Sequence, residues 1–315
     1  MPPTTSPGYP SLPSRMRSKK GDDERPVIAL TIGDAAGIGP EVLSEALHSG
    51  QLPSHMRYQV IGDATGIEPG KPSTESAQRA MDALNEAVEL LRAGKVQGVV
   101  TGPIHKAAMY DLGFNFPGQT EFFAKAFEVE DYTMCLSGPH LTVTLATIHV
   151  PLREVAQNLD VDNIVKTGRL TYQFCRQRGY NFPRIAVAAL NPHGGETGRM
   201  GEEEENIISP AVAILEEEMP GVFTGPIPSD TLFFHAYRRD YHAVLCMYHD
   251  QGLIPMKMLD FHEGVNITLG LPFPRTSPDH GTAFDIAGKG IARPDSLIAS
   301  IVLCAQMVES TSPKP

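Results

Sequence analysis

The chain contains no tryptophan, and its four cysteines (Cys135, Cys175, Cys246 and Cys304) are scattered without a Cys-x-x-Cys pair. The missing indole weakens carbohydrate-platform and membrane-belt readings. The cysteine spacing argues against a disulfide framework or a cysteine zinc knuckle. Cys246 and Cys304 lie in apolar runs and are expected to be small buried hydrophobes. Basic charge is also scarce: 26 Lys and Arg face 37 Asp and Glu, a formal net charge of −11. A nucleic-acid binder usually carries the opposite footprint, although a local cluster of Lys and Arg can still hold a small anion. No apolar run approaches the roughly 20 residues of a membrane span. Residues 1–25 are rich in Pro, Ser and charge and lack the hydrophobic core of a secretory signal. They are expected to form a disordered extension, and the cytoplasm is the expected location.

What is present is ordinary globular material: 315 residues, 41% hydrophobic and 20% charged, enough for about two domains. Short apolar, β-branched runs alternate with amphipathic stretches. Val27–Ile32, Tyr58–Ile61, Gln97–Thr101, Leu141–Ile148, Arg184–Leu190 and Ala243–Tyr248 are expected strands. A helix is expected to open near Pro40, with others over Ser73–Ala93, Val161–Arg178, Glu202–Glu218 and Asp295–Glu309. This rhythm predicts an α/β protein with a largely parallel sheet.

Three histidines follow three of these strands: His149 after VTLATI, His193 after IAVAALNP and His249 after AVLCMY. Ligands in open α/β sheets gather outside the carboxyl ends of strands. Three imidazoles arriving there could bind one divalent ion and leave coordination positions open. For any one of them, an ordinary hydrogen-bonded loop residue is the commoner reading. Three in polar motifs (HVPLRE, NPHGGE, YHDQG) make the metal an equal alternative. His48, His55, His140, His235 and His242 sit in ordinary polar surroundings, whereas His105, His262 and His280 lie in richer motifs suited to orienting ligands or substrate.

The turn TIGDAAGIGPE follows the first strand, but the GxGxxG dinucleotide fingerprint needs a glycine where Val42 stands. Its glycines could present backbone N–H groups to a ligand or serve only a tight turn. EPGKPS has Pro72 where a P-loop requires Ser or Thr, so an ATPase reading fails. Lys257, Asn266 and Arg275 could converge on a phosphate or carboxylate, or could be ordinary solvated groups.

Together these segments resemble the 4-hydroxythreonine-4-phosphate dehydrogenase (PdxA) family. The likeness runs from about Val27 to the last helix, through TIGDAAGIGPE, TGPIHK, GQTEFFA, HVPLREV, LNPHGGETGRMGEEE, PSDTLFF, YHDQGLIPMK and GVNITLGLPFPRTSPDHGTAFDIAGKG. It implies the two-domain fold of the isocitrate and isopropylmalate dehydrogenases, with a cleft between the domains. On that basis 26–118 with 277–315 would form the first α/β domain and 119–276 the second. It also implies a homodimer with a shared active site, in which His149, His193 and His249 hold zinc, cobalt or magnesium without necessarily meeting in one chain. Gln119, Thr120, Lys257, Asn266 and Arg275 would contact a small phosphorylated substrate. Asp230 and Asp250 are the candidates for proton handling or metal orientation. Asn191, Gly194, Asp279 and Gly281 are the candidates for contact with NAD, and no residue that reads the ribose separates it from NADP.

The chemistry implied is NAD-linked oxidation of 4-phosphooxy-L-threonine with decarboxylation to 3-amino-2-oxopropyl phosphate, in pyridoxal phosphate synthesis. Two departures bear on the substrate. Gln119 stands where the family usually has His, and the stretch between Asp63 and Ser73 is shorter than usual. The alternatives are a dehydrogenase for a phosphorylated aldonate (threonate or erythronate phosphate) or an aromatic dihydrodiol acid, and a non-catalytic metal- or ligand-binding relative.

Overall fold

The computed structural model describes residues 24–311, so the expected N-terminal extension lies outside the described residues apart from Glu24 and Arg25. Ten strands follow in chain order: β1 (Val27–Thr31), β2 (Arg57–Ile61), β3 (Gly98–Thr101), β4 (Thr133–Ser137), β5 (Thr142–Leu145), β6 (Ile185–Ala188), β7 (Phe223–Ile227), β8 (Ala243–Cys246), β9 (Val265–Leu269) and β10 (Arg275–Pro278). The chain divides into two compact α/β units. One runs up to Ala126 and resumes over Phe273–Glu309; the other is Phe127–Pro272.

In the first unit the strand order is β2-β1-β3-β10, all parallel. Helix Thr74–Arg92 starts where its sequence predicts. Ser73 and Ser76 cap each other, each backbone N–H donating to the other's hydroxyl at 3.1 Å. It buries Ala77, Ala80, Leu84, Ala87, Val88 and Leu91, a stripe at helical spacing. The final helix, Asp295–Thr311, places Ile301, Cys304 and Val308 in one core with Ile28, Leu30 and Val100 of the strands. The short link after β2 is closed by Arg79, which donates to Asp63 O (3.1 Å), Thr65 O (2.8 Å) and the Glu75 carboxylate (2.6 Å).

The second unit has the order β9-β4-β5-β8-β6-β7. Strands β5, β8, β6 and β7 are parallel, but β4 runs antiparallel to both β5 and β9. The largely parallel expectation therefore holds for the first unit and only part of the second. The reason is local: residues 138–141 form a turn, closed by Gly138 N–H to Leu141 O at 2.9 Å, too short for any connection but a hairpin. Alternate residues of β6 point to opposite faces. Ile185 and Val187 pack with Ile164, Leu215 and Leu245 from helices Val161–Gln177 and Ser209–Glu218 and strand β8. Ala186 and Ala188 pack with Leu232, Leu253 and Met256 from helices Ser229–Tyr237 and His249–Asp260. Helices thus cover both faces.

Among the elements that the sequence pattern did not indicate, two carry a proline that works against them locally. Strand β7 (FTGPI) tolerates Pro226 at the sheet edge, where one side needs no ladder bond. Helix His249–Asp260 carries Pro255 in its interior, against a propensity cost of about 3 kcal/mol, and is held by buried Gln251, Leu253 and Met256. All four cysteines are buried free thiols, and burial pushes Cys175 and Cys304 up to about 12. Among the described residues no helix is long and apolar enough to cross a membrane.

Leu245 lies fully buried in β8. Leu245→Ala is expected to cost about 2–5 kcal/mol in urea unfolding. A cost close to zero would show that β8 is not central to the second unit's core.

Candidate functional site

Strands β5, β8 and β6 are adjacent and parallel, with Leu145 paired to Cys246 and Val187 to Leu245. Their carboxyl ends consequently emerge on one edge of the second unit. His149 follows β5 within a short loop, His249 opens the helix after β8, and His193 lies in the turn Pro192–Glu196 after β6. The imidazoles of His149 and His249 are neighbours, with ring centroids 5.7 Å apart. His249 Nδ1 lies 2.7 Å from Asp250 Oδ1, and His193 Nδ1 lies 3.5 Å from Glu196 Oε2. At 2.7 Å the Asp250 carboxylate is placed to accept an Nδ1–H of His249, a tautomer that leaves Nε2 as the electron-pair donor, the usual way a metal-binding imidazole is oriented. The donor set fits a divalent transition ion. Nitrogen ligands suit zinc or cobalt better than magnesium, which prefers oxygen. Among the described residues no three His, Cys, Asp or Glu side chains converge as a metal-holding group, so His193 is not gathered with the other two.

Asp250 is thus placed directly on a candidate ligand. Asp230 is an exposed residue in the first turn of helix Ser229–Tyr237. Sequence reasoning missed Gln251, which is buried. Its Oε1 accepts Met247 N–H at 2.6 Å, and its Nε2 donates to Ala189 O at 2.6 Å and Ser229 Oγ at 2.8 Å. One amide therefore ties together the ends of β8 and β6 and the start of the helix bearing Asp230. Its only sequence signal was its place in HDQG. Asn191 donates its amide to Glu203 (2.7 Å) and Glu204 (3.0 Å), while Gly194 takes φ +67°. Lys257 lies over the Phe261 ring at 6.0 Å, and Asn266 sits in β9 with its buried Oδ1 lacking a hydrogen-bond partner. A cavity of about 230 Å³ lies at the amino ends of β5 and β8, lined by His140, Arg178, Arg239 and His242, at the opposite edge from the three histidines.

In the first unit Arg275, Gln119 and Thr120 come together. Arg275 is 3% exposed; it donates to Thr101 Oγ1 at 2.6 Å and reaches Thr120 Oγ1 and Gln119 Oε1 at 3.4 Å. Gln119 Nε2 donates to Gly102 O at 3.0 Å. Burial pulls the guanidinium down to about 10, with the Glu121 carboxylate acting against that shift. An anion brought against such a guanidinium would favour its charged form further.

The glycine turn has a packing role. A Cβ at Gly37 would lie 2.6 Å from Thr282 O, and one at Gly39 would lie 1.9 Å from Ile32 O. Ile38 N–H donates to Thr282 O at 2.9 Å, drawing the turn against the loop that carries Asp279 and Gly281. Asp279 N–H donates to Ser296 Oγ at 3.0 Å, and a Cβ at Gly281 would meet nothing within 4 Å. His105 packs edge-on against Phe284, His280 Nδ1 lies 3.0 Å from Gly281 O, and His262 stands beside Phe261. Glu41, also missed, reaches from the glycine-turn helix to accept Gly288 N–H at 3.1 Å.

This arrangement has close parallels. The pyridoxal phosphate biosynthetic protein PdxA family matches residues 32–304. A 4-hydroxythreonine-4-phosphate dehydrogenase from Bradyrhizobium diazoefficiens is 45% identical over 88% of this chain and 82% of its own. The crystal structure of the enzyme of that name from Klebsiella pneumoniae is 35% identical and superposes with a TM-score of 0.77 over 91% of this chain and 99% of its own. At 18% identity, a β-decarboxylating dehydrogenase from Thermococcus kodakarensis shares the fold alone, with a TM-score of 0.50 over 89% and 81%.

Burial raises the pKa of Glu41, with Glu45 adding to it and the Gly288 and Gly290 N–H groups opposing. A carboxyl with a raised folded pKa favours its protonated form in the native state. Its contribution therefore declines as pH rises from the ordinary carboxylate range through the raised value. Glu41→Gln keeps one oxygen acceptor and cannot ionise. It is expected to hold or raise Tm at pH 7 and to flatten the Tm profile between pH 4 and 7. A variant that melts lower at pH 7 with an unchanged profile would overturn this reading.

Proposed function

The chain belongs to the PdxA family of pyridoxal phosphate biosynthetic proteins, and we propose that it oxidises 4-phosphooxy-L-threonine with NAD and decarboxylates the product to 3-amino-2-oxopropyl phosphate. The observation that carries the proposal is the placement of His149, His249 and His193 on three adjacent strand ends, with Asp250 bonded to His249. In the balanced reaction the secondary alcohol loses a hydride to NAD and a proton to the site. The C–COO bond then breaks, carbon dioxide leaves, and the carbanion equivalent is protonated. When bound, a divalent ion supplies Lewis acidity at the alcohol oxygen, and NAD (or NADP) supplies the hydride acceptor.

The three histidines would hold the ion through Nε2. Asp250 keeps His249 in the required tautomer, and Asp230 is the candidate for proton handling. Arg275, with Thr120 and Gln119 around it, binds an anionic group of the substrate; Lys257 and Asn266 have the same assignment in the second unit. Asn191, Gly194, Asp279 and Gly281 are assigned to the cofactor. Gln119 favours a second reading: a glutamine cannot become cationic, so a phosphorylated aldonate or dihydrodiol acid could replace the amino acid substrate.

A panel of these substrates, followed by NADH absorbance with zinc, cobalt or magnesium, separates the readings. Turnover is expected with 4-phosphooxy-L-threonine; turnover only with a substrate lacking the amino group would transfer the assignment to the second reading. His249→Ala is expected to lower cation affinity and turnover by more than about 100-fold, and Asp250→Asn by about 10- to 100-fold. Unchanged metal content and turnover in His249→Ala would remove the metal proposal.

The same reading includes a homodimer with a shared site. Its support is the helix that His249 opens, where Ile254 (66% exposed), Met258 (77%) and neighbouring Phe261 (65%) form one apolar stripe at helical spacing. A second copy would cover this stripe and could complete a metal group that one chain leaves incomplete. Met258→Glu is expected to shift the species seen by analytical ultracentrifugation from dimer to monomer. A wild-type chain that sediments as a monomer would overturn it.

A further inference from the structure

The turn bearing His193 is unusual in its backbone. His193 (φ 53°), Glu196 (φ 48°) and Thr197 (φ 56°) all occupy the left-handed region, where side chains other than glycine's are disfavoured. Such a conformation persists only where its surroundings over-determine it. Here the anchor is Glu204, 3% exposed, at the start of the wide turn Glu204–Ile208 that precedes helix Ser209–Glu218. Its Oε1 accepts the backbone N–H groups of Leu190 (2.8 Å) and Asn191 (2.7 Å), and its Oε2 accepts Asn191 Nδ2 at 3.0 Å. The loop closes around that carboxylate: a Cβ at Gly195 would lie 2.7 Å from Glu204 Oε2, and one at Gly201 would lie 2.2 Å from Asn191 Nδ2. Met200 N–H completes the closure by donating to Gly195 O at 3.0 Å.

A buried carboxylate that takes three N–H donors from one short segment is a strong, directional anchor, because charge-assisted bonds in a dry site resist distortion. The donors lie two and three residues before His193, between the end of β6 and the imidazole. We propose that Glu204 is a positioning residue for His193, holding the left-handed turn that presents this imidazole at the carboxyl end of β6. The proposal rests on the reading of His193 as a metal ligand, but its effect on the turn does not require the metal to be present.

Glu204→Gln keeps an acceptor for the two backbone N–H groups but turns an amide donor toward the Asn191 amide. Glu204→Ala removes every bond. Cobalt(II) affinity, measured by titration of the visible spectrum, is expected to fall in the order wild type, Glu204→Gln, Glu204→Ala, with a loss of about 10- to 100-fold for the last. In a His193→Ala background the same substitutions are expected to change cobalt affinity by less than about 2-fold, because nothing remains for Glu204 to position. Equal losses in both backgrounds would reduce Glu204 to a general stability residue and overturn the proposal.

The metal-free protein supplies the second readout. The His193 ring resonances in labelled-histidine NMR are expected to shift and broaden in Glu204→Gln while those of His149 and His249 hold. An unmoved His193 signal would overturn the proposal even if cobalt binding changed. If wild-type protein bound no cobalt, the metal reading would fall, and the NMR result alone would decide whether Glu204 positions the turn.

Discussion

Parallel strands deliver their carboxyl ends to the same edge of a sheet, about 5 Å apart. In the second unit β5, β8 and β6 are neighbours and all run the same way, so whatever follows each strand must arrive at a common edge. Three histidines do follow them. The antiparallel β4 does not disturb this, because it lies on the far side of β5 and only extends the sheet toward β9. Helices on both faces bury the strands through alternating side chains of β6, which fixes the register and therefore the height at which each histidine emerges.

Strand ends alone leave several backbone N–H groups without ladder partners, and the chain repeatedly satisfies them with a buried acid. Glu204 takes the N–H groups of Leu190 and Asn191, and Glu41 takes that of Gly288. Asp260 accepts from His140 and Leu141 at 2.9 and 3.0 Å and lies 2.6 Å from His140 Nδ1. Directed N–H donors give a buried carboxyl group partners for its oxygens, although at Glu41 burial still outweighs them and raises the pKa. Gln251 performs the neutral version of the task between β6 and β8. Loops that must hold functional groups are thus fastened at specific atoms, leaving their outward side chains to chemistry.

Arg275 shows the complementary situation in the first unit. Its guanidinium is buried among the oxygens of Thr101, Thr120 and Gln119, and dehydration lowers its pKa. Neutral oxygens from these three residues orient the fork, and Gln119 is one of them, so residue 119 helps set the geometry around the guanidinium.

Much of this organisation was legible in the chain itself. Hydrophobic periodicity located helices Thr74–Arg92 and Val161–Gln177 to within a residue or two, because their buried stripes and their Ser73 and Asp160 caps are local signals. The strands preceding the three histidines were legible for the same reason. Strand β7 and helix His249–Asp260 were not, since Pro226 and Pro255 are unfavourable locally and are accepted only through edge placement and buried packing. The roles of Glu204, Gln251 and Glu41 were also hidden. Glu204, in an acidic run, looks solvated until folding encloses it against partners 13 and 14 positions away, and Glu41 meets Gly288 only across 247 positions. By itself, then, the sequence determined the α/β alternation, the candidate ligands and the motifs that place the chain in its family, all properties of neighbouring residues. Only the tertiary structure decided which strand ends are adjacent, which acids are buried and which loop each holds, because those depend on contacts that exist only after distant segments pack.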